Sequence, residues 1–313
     1  MRIISGIDAV TGDDRGASAA LGNFDGVHKG HQAVLDAARA PAGAPDAPLG
    51  VVTFEPHPRA YFVPGAPPFQ LMTPEARAHR LSKLGVGRLF VLDFNAALAA
   101  LSAEAFARDV LASALGLRHV AIGADFRFGK GREGDAGRLA ALGARFGFGV
   151  TAVDLVGGEA TYSSTAIRAA LSEGRAEDAA AMLGHLHRID GPVQHGEKRG
   201  RVLGFPTANI DLTGLHLPRF GVYAVTVDVL DGPHEGRYRG AASIGVRPMF
   251  GVNTPNLEVF LFDFAGDLYG APISVALVSW LRGEERYDGV DALIAQMGRD
   301  CAKAASILAA RDH

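Results

Sequence analysis

Leu21-Gly22-Asn23-Phe24-Asp25-Gly26-Val27-His28-Lys29-Gly30-His31 decides how the first half of the chain is read. It leaves a short apolar run at 19–22 and enters a helical pattern at 31–39, so a strand passes into a helix through a glycine-rich turn. Glycine lets the backbone approach a phosphate closely, and amides at a helix start point outward along the positive end of the dipole. His28 and His31, three residues apart, can both donate hydrogen bonds to phosphate oxygens and stabilise charge that grows as pyrophosphate leaves. Taken alone the pair also admits two plainer readings: helix capping, or half of a zinc site whose third ligand is not evident.

Working outward, strands are expected at 50–54, 88–94, 119–123 and 150–156, alternating with helices at 74–84, 103–115 and 135–146. Thr73 and Ser102 precede two of these helices as capping residues. This alternation predicts an α/β domain, a Rossmann-like doubly wound parallel sheet with its ligand beyond the carboxyl ends of the strands. After Leu183 strands at 189–194, 208–212, 222–230, 239–244, 257–264 and 273–281 follow without helices between them. They predict a small antiparallel β-barrel, closed by one amphipathic helix over 290–310. A chain of 313 residues is long enough for two domains, and the change of pattern divides it into 1–186 and 187–313.

A hydrophobic share of 48% with 21% charged residues excludes a disordered chain. A net charge of −3 gives no basic surplus for duplex nucleic acid or an anionic membrane, which leaves small ligands. Cys301 is the single cysteine, so no intramolecular disulfide forms; a packing role and a reducing, cytoplasmic setting are expected. No secretory pattern opens the chain and no apolar run is long enough to span a bilayer. Neither a nucleic-acid nor a membrane partner is expected, and any homo-oligomer should be weak.

Four further stretches carry chemistry. Tyr162-Ser163-Ser164-Thr165-Ala166-Ile167-Arg168 places hydroxyls at a helix start and an arginine one turn in, which makes either an ordinary N-cap or a second phosphate cradle gripped by Arg168. Thr53-Phe54-Glu55-Pro56-His57-Pro58 and Gly123-Ala124-Asp125-Phe126-Arg127-Phe128-Gly129 put aromatic residues at strand ends, where core packing is the plain reading of Phe54 and Phe126. The glycine-rich basic loop from Gly196 to Gly204 runs into Phe205-Pro206-Thr207-Ala208-Asn209 and lacks the Gly-Lys-Ser/Thr ending of a Walker loop. Thr207 and Asn209 offer neutral oxygens to Mg²⁺ or simply bond the turn backbone. Glu258 is a carboxylate within an apolar strand, costly to bury without a task or a partner such as Arg247.

Together these motifs resemble the prokaryotic bifunctional riboflavin kinase/FAD synthetase family, from about Ala17 to Lys303. The resemblance implies an enzyme that phosphorylates riboflavin to FMN and then adenylylates FMN to FAD, using ATP and Mg²⁺ at each step. It implies that Gly22, Phe24, Gly30, His28, His31, Ser164, Thr165 and Arg168 serve the adenylyl transfer, and that Phe54, Pro56, Asp125 and Phe128 lie on the flavin side. It further implies that Gly196, Arg201 and Gly204 hold phosphate in the kinase, that Thr207 and Asn209 hold the metal, and that Glu258 is the general base. Ser243 and Met249 depart from the family pattern, where Asn and Thr often stand, and Asp125 replaces an Asn of some relatives. A monofunctional nucleotidyltransferase whose barrel only holds flavin, and a flavin or nucleotide sensor without turnover, are the competing readings.

Overall fold

The computed structural model describes residues 1–39, 41, 44–154, 162–196, 203–249 and 252–311; the side chains of 247–249 and 252–254 are not described. The chain divides into two compact units, Met1–Pro67 with Arg77–Ser163, and Pro68–Ala76 with Ser164–His313.

In the first unit six strands are all parallel: β1 (Arg2–Ser5), β2 (Ser18–Leu21), β3 (Leu49–Glu55), β4 (Arg88–Asp93), β5 (His119–Gly123) and β6 (Gly149–Val153). Their order is β1-β4-β3-β2-β5-β6, so the strand order reverses between β2 and β5. A ligand in such a sheet lies outside the strand ends at that reversal. Strands β2 and β3 are buried almost throughout, as a sheet covered on both faces requires. Around them run α1 (Lys29–Arg39), α2 (Pro58–Phe62), α3 (Pro74–Lys83), α4 (Ala96–Ala99), α5 (Ala103–Ala105) and α6 (Ala136–Phe146).

Thr73 and Ser102 cap as expected, accepting from the amides of Ala76 and Ala105 at 3.2 and 3.1 Å. The helix expected over 103–115 continues from α5 as a π-helical stretch, Phe106–Ala114. It turns Phe106 into the core between Phe54 and Phe128, at ring separations of 6.5 and 5.8 Å.

In the second unit α7 (Ser164–Ser172) and α8 (Ala176–Leu183) share a small core with Leu71. Then β7 (His187–Pro192), β8 (Thr207–Asp211), β9 (Gly221–Val229), β10 (Gly236–Met249), β11 (Val252–Leu261) and β12 (Pro272–Arg282) form an antiparallel sheet, order β7-β12-β9-β10-β11-β8. It curls around Ile189, Val225, Val227, Leu257, Val259 and Val275. The amide of Gln194 donates to the Asn209 carbonyl at 2.8 Å, tying the chain after β7 to β8.

Helix α9 (Val290–Ala309) covers one side through Ala304 and Leu308. The buried Asp300 carboxylate anchors it by accepting from Arg282 Nε at 3.0 Å and Nη2 at 2.7 Å. Cys301 is half-buried and reduced, and burial pushes its thiol up to about 11, as a packing role requires.

Candidate active sites

The turn after β2 is held by its own strain and burial. Phe24 and Val27 adopt φ of +54° and +43°, in the left-handed region that side chains avoid, while their side chains are 1% and 0% exposed. Left-handed backbone costs about 1–2 kcal/mol at each position. Burying each side chain contributes about 1.5–3 kcal/mol, so the strain is offset within the turn. Phe24 therefore presents no surface to a ligand. Its ring lies 5.0 Å from that of His31 and supports it from the core.

His28 and His31 stack, their ring centroids 3.7 Å apart and 21° from parallel. The His31 amide donates to His28 Nδ1 at 3.3 Å, which leaves Nε2 as the protonated, donating nitrogen of His28. Burial, reinforced by the neighbouring His28, holds the His31 imidazole well below its ordinary pKa, so it is neutral at pH 7. His31 Nδ1 is buried without a hydrogen-bond partner among the described residues. A buried polar nitrogen left open beside a helix start has the chemistry of a site completed by an oxygen-bearing ligand.

Gly30 is fixed by space. A Cβ there would stand 3.0 Å from His28 Cε1 and 3.3 Å from the Tyr162 carbonyl oxygen. Gly30→Ala is expected to push the His28 ring aside and lower the FMN-to-FAD turnover about 10- to 100-fold, in line with the cost of misplacing a reacting group by an ångström. Riboflavin phosphorylation measured on the same protein should be unchanged. Gly22 is less constrained, since a Cβ would make only ordinary contact with Phe24 at 3.5 Å; its amide bonds the Val52 carbonyl at 3.1 Å.

The flavin-side motifs end β3 and β5, and their aromatics divide into two layers. Phe54 and Phe128 are core residues, 8% and 7% exposed, whereas Pro56 and Asp125 are exposed. Arg127 pairs at 3.3 Å with Asp135, the cap of α6.

The available aromatic surface comes from residues that sequence reading missed. Tyr61 and Phe62 on α2 meet Phe94 edge to face at 5.4 and 5.6 Å, and Phe62 is 64% exposed. Phe94 in turn meets Phe54 at 5.8 Å, so the exposed cluster rests on the core. The run Tyr61-Phe62-Val63 just beyond Pro58 was the available signal.

In the second unit Ser164 opens α7, Thr165 is exposed, and Arg168 is half-buried one turn on. The Arg168 guanidinium donates to Thr165 Oγ1 at 3.4 Å and to the Phe69 carbonyl at 3.3 Å, and sits 5.8 Å from the Phe69 ring centroid. A planar fork fixed along one edge keeps its charge directed.

At the barrel, Glu258 on β11 stands opposite Asn209 on β8 and Ser243 on β10. Asn256 Nδ2 donates both to Glu258 Oε1 at 3.3 Å and to Asn209 Oδ1 at 3.2 Å, joining the base and metal candidates of the sequence reading. Asn256 was not singled out from sequence. Thr207 and Ala208 line a cavity of about 390 Å³ with Val193, Phe264, Asp267 and Tyr269.

Gly196 is half-buried before the loop, and Gly204 has φ +85° with open space around it, so its backbone needs glycine. Arg201 lies outside the described residues, as do the side chains of Arg247 and Met249. No cluster of three metal-binding His, Cys, Asp or Glu residues occurs among the described residues.

Residues 10–166 match the family model for FAD synthetase, and residues 183–308 match that for riboflavin kinase. A bifunctional riboflavin kinase/FMN adenylyltransferase of Pseudomonas fluorescens is 40% identical over the full length of both chains. One from Escherichia coli K12 is 39% identical over 96% of each. A crystal structure from Streptococcus pneumoniae, described as a macrolide-efflux protein, superposes with a TM-score of 0.82 at 31% identity, covering 95% of this chain and 97% of that one. No helix among the described residues is long and apolar enough to cross a membrane. With an FAD-synthetase region at the parallel sheet and a riboflavin-kinase region at the barrel, this chain belongs to the bifunctional riboflavin kinase/FMN adenylyltransferase family.

Proposed function

We propose that the two activities of the chain are divided between Glu258 at the barrel and the His28–His31 pair at the parallel sheet. The enzyme phosphorylates riboflavin to FMN with one ATP, then transfers the adenylyl group of a second ATP to FMN, giving FAD and pyrophosphate. The observation that carries the division is that each matched region holds its own constellation: stacked imidazoles in one, Asn209, Asn256 and Glu258 in the other. We retain 1–186 and 187–313 as the functional division, supported by β7 beginning at His187.

In the kinase step Glu258 accepts the proton of the ribityl 5′-hydroxyl as that oxygen attacks the γ-phosphorus; the new P–O bond forms as the bond to the ADP oxygen breaks. Asn256 holds the carboxylate in place. Thr207 and Asn209 would hold Mg²⁺, since neutral oxygens beside one carboxylate suit a hard cation that keeps several waters. Bound there, the metal supplies charge neutralisation to the ATP phosphates. Gly196, Arg201 and Gly204 belong to the loop we assign to those phosphates.

In the adenylyl step an FMN phosphate oxygen attacks the α-phosphorus, and pyrophosphate departs. His28 donates from Nε2, and His31, Ser164, Thr165 and Arg168 add donors for the developing charge, with Gly22 and Gly30 giving the backbone room. The exposed face of Phe62, with Tyr61 and Phe94, is the platform we assign to the flavin ring; Phe54 and Phe128 support it, and Pro56 and Asp125 border it. Both steps need only small molecules, and we place the enzyme in the cytoplasm. Chromatography of riboflavin, FMN and FAD during incubation with ATP and magnesium tests the proposal. FMN should rise first and FAD follow, and riboflavin left unphosphorylated would reduce the barrel to a binding module.

A further inference from the structure

Among the described residues of the first unit, Arg77 is the one buried arginine, 4% exposed on α3, and the mechanism above does not use it. A buried guanidinium is costly unless its charge and donors are matched. One end of its fork forms an ion pair with Glu55 Oε1 through Nη2. The other, Nη1, donates to the Asn23 carbonyl at 3.4 Å. The same carbonyl accepts from the buried Thr53 hydroxyl at 3.2 Å. Nε has no partner among the described residues, so hydrogen bonding is incomplete even at this expense.

The two ends of the fork touch different functional segments. Asn23 precedes the strained Phe24 of the histidine turn, and Glu55 precedes Pro56 of the flavin-side motif. A left-handed residue persists only where its surroundings over-determine it, and a rigid planar fork sets the separation of two acceptors as a flexible ammonium does not. We infer that Arg77 is a positioning residue for adenylyl transfer, holding the His28–His31 turn and the flavin-side segment at a fixed spacing through Asn23 and Glu55. This rests on the assignment of adenylyl transfer to that turn.

The test separates positioning from packing. Replacing a buried ion pair by uncharged groups of similar shape is often neutral for stability, so Arg77→Met with Glu55→Gln should leave a folded protein with wild-type riboflavin kinase activity. Its kcat for converting FMN to FAD should fall about 10- to 100-fold, as misplacement of reacting groups does, with KM for FMN and ATP within about threefold of wild type. Arg77→Lys, which keeps the charge and loses the fork, should keep the wild-type melting temperature and still lose kcat. Wild-type enzyme assayed alongside must make FAD from FMN; if it does not, the underlying assignment fails. If it does, and the double variant keeps kcat within twofold, or loses activity through KM instead, the positioning role is overturned.

Discussion

Glu258→Ala is expected to lower riboflavin phosphorylation by about 10²- to 10⁴-fold, the span general-base catalysis covers, while supplied FMN still becomes FAD. Glu258 is half-buried between the fully buried Leu257 and Val259. A carboxylate is a poor choice there for packing, and Asn256, which donates both to it and to Asn209, orients it. Glu258→Gln decides between chemistry and structure. It preserves shape and a carbonyl oxygen but cannot take up the hydroxyl proton, so it should be as inactive as the alanine variant with an unchanged melting temperature. Kinase activity in the glutamine variant would mean that Glu258 only orders the strand.

Ser243 faces Glu258 across the ladder, and a hydroxyl at that position is able to donate a hydrogen bond.

The sequence located most strands to within one or two residues because their apolar runs are buried on both faces or alternate around a barrel. Strand β1 escaped that reading: it is an edge strand with Ile4 its one buried residue, so it carries no period. Helix α8 is alanine-rich and offered little contrast between faces. The π-helical stretch in Phe106–Ala114 was beyond reach too, since the apolar spacing of nine residues does not distinguish hydrogen-bond registers.

At the sites, the residues that sequence could put forward lie in motifs that are local in sequence: the histidine turn, Ser164–Arg168, Thr207 with Asn209, and Glu258. What was not legible depends on distant neighbours. Phe24, Phe54 and Phe128 proved to be buried supports, and Phe62 exposed, because the sheet decides which aromatic faces the core. Asn256 ties Glu258 to a partner 47 residues away, and Arg77 joins partners 54 and 22 residues away.

His28→Ala is expected to stall the enzyme at FMN, with FAD formation down by about 10²- to 10³-fold, the cost of removing one preorganised donor to a developing oxyanion. The argument turns on which proton is available. The His31 amide occupies His28 Nδ1, so the donor is Nε2–H, and a neutral imidazole suffices to supply it. His31, stacked at 3.7 Å and held neutral by burial, takes up a proton only well below its ordinary pKa, so its titration should put no acid limb near pH 6.5 on kcat/KM for FMN. His28→Gln restores an amide N–H near the Nε2 position and should recover part of the activity that alanine loses. If glutamine and alanine are equally inactive and the pH profile gains a limb near 6.5, the required group is an imidazolium and the neutral-donor mechanism is wrong. If glutamine recovers activity, the stacked pair acts by position and directed N–H donation rather than by charge.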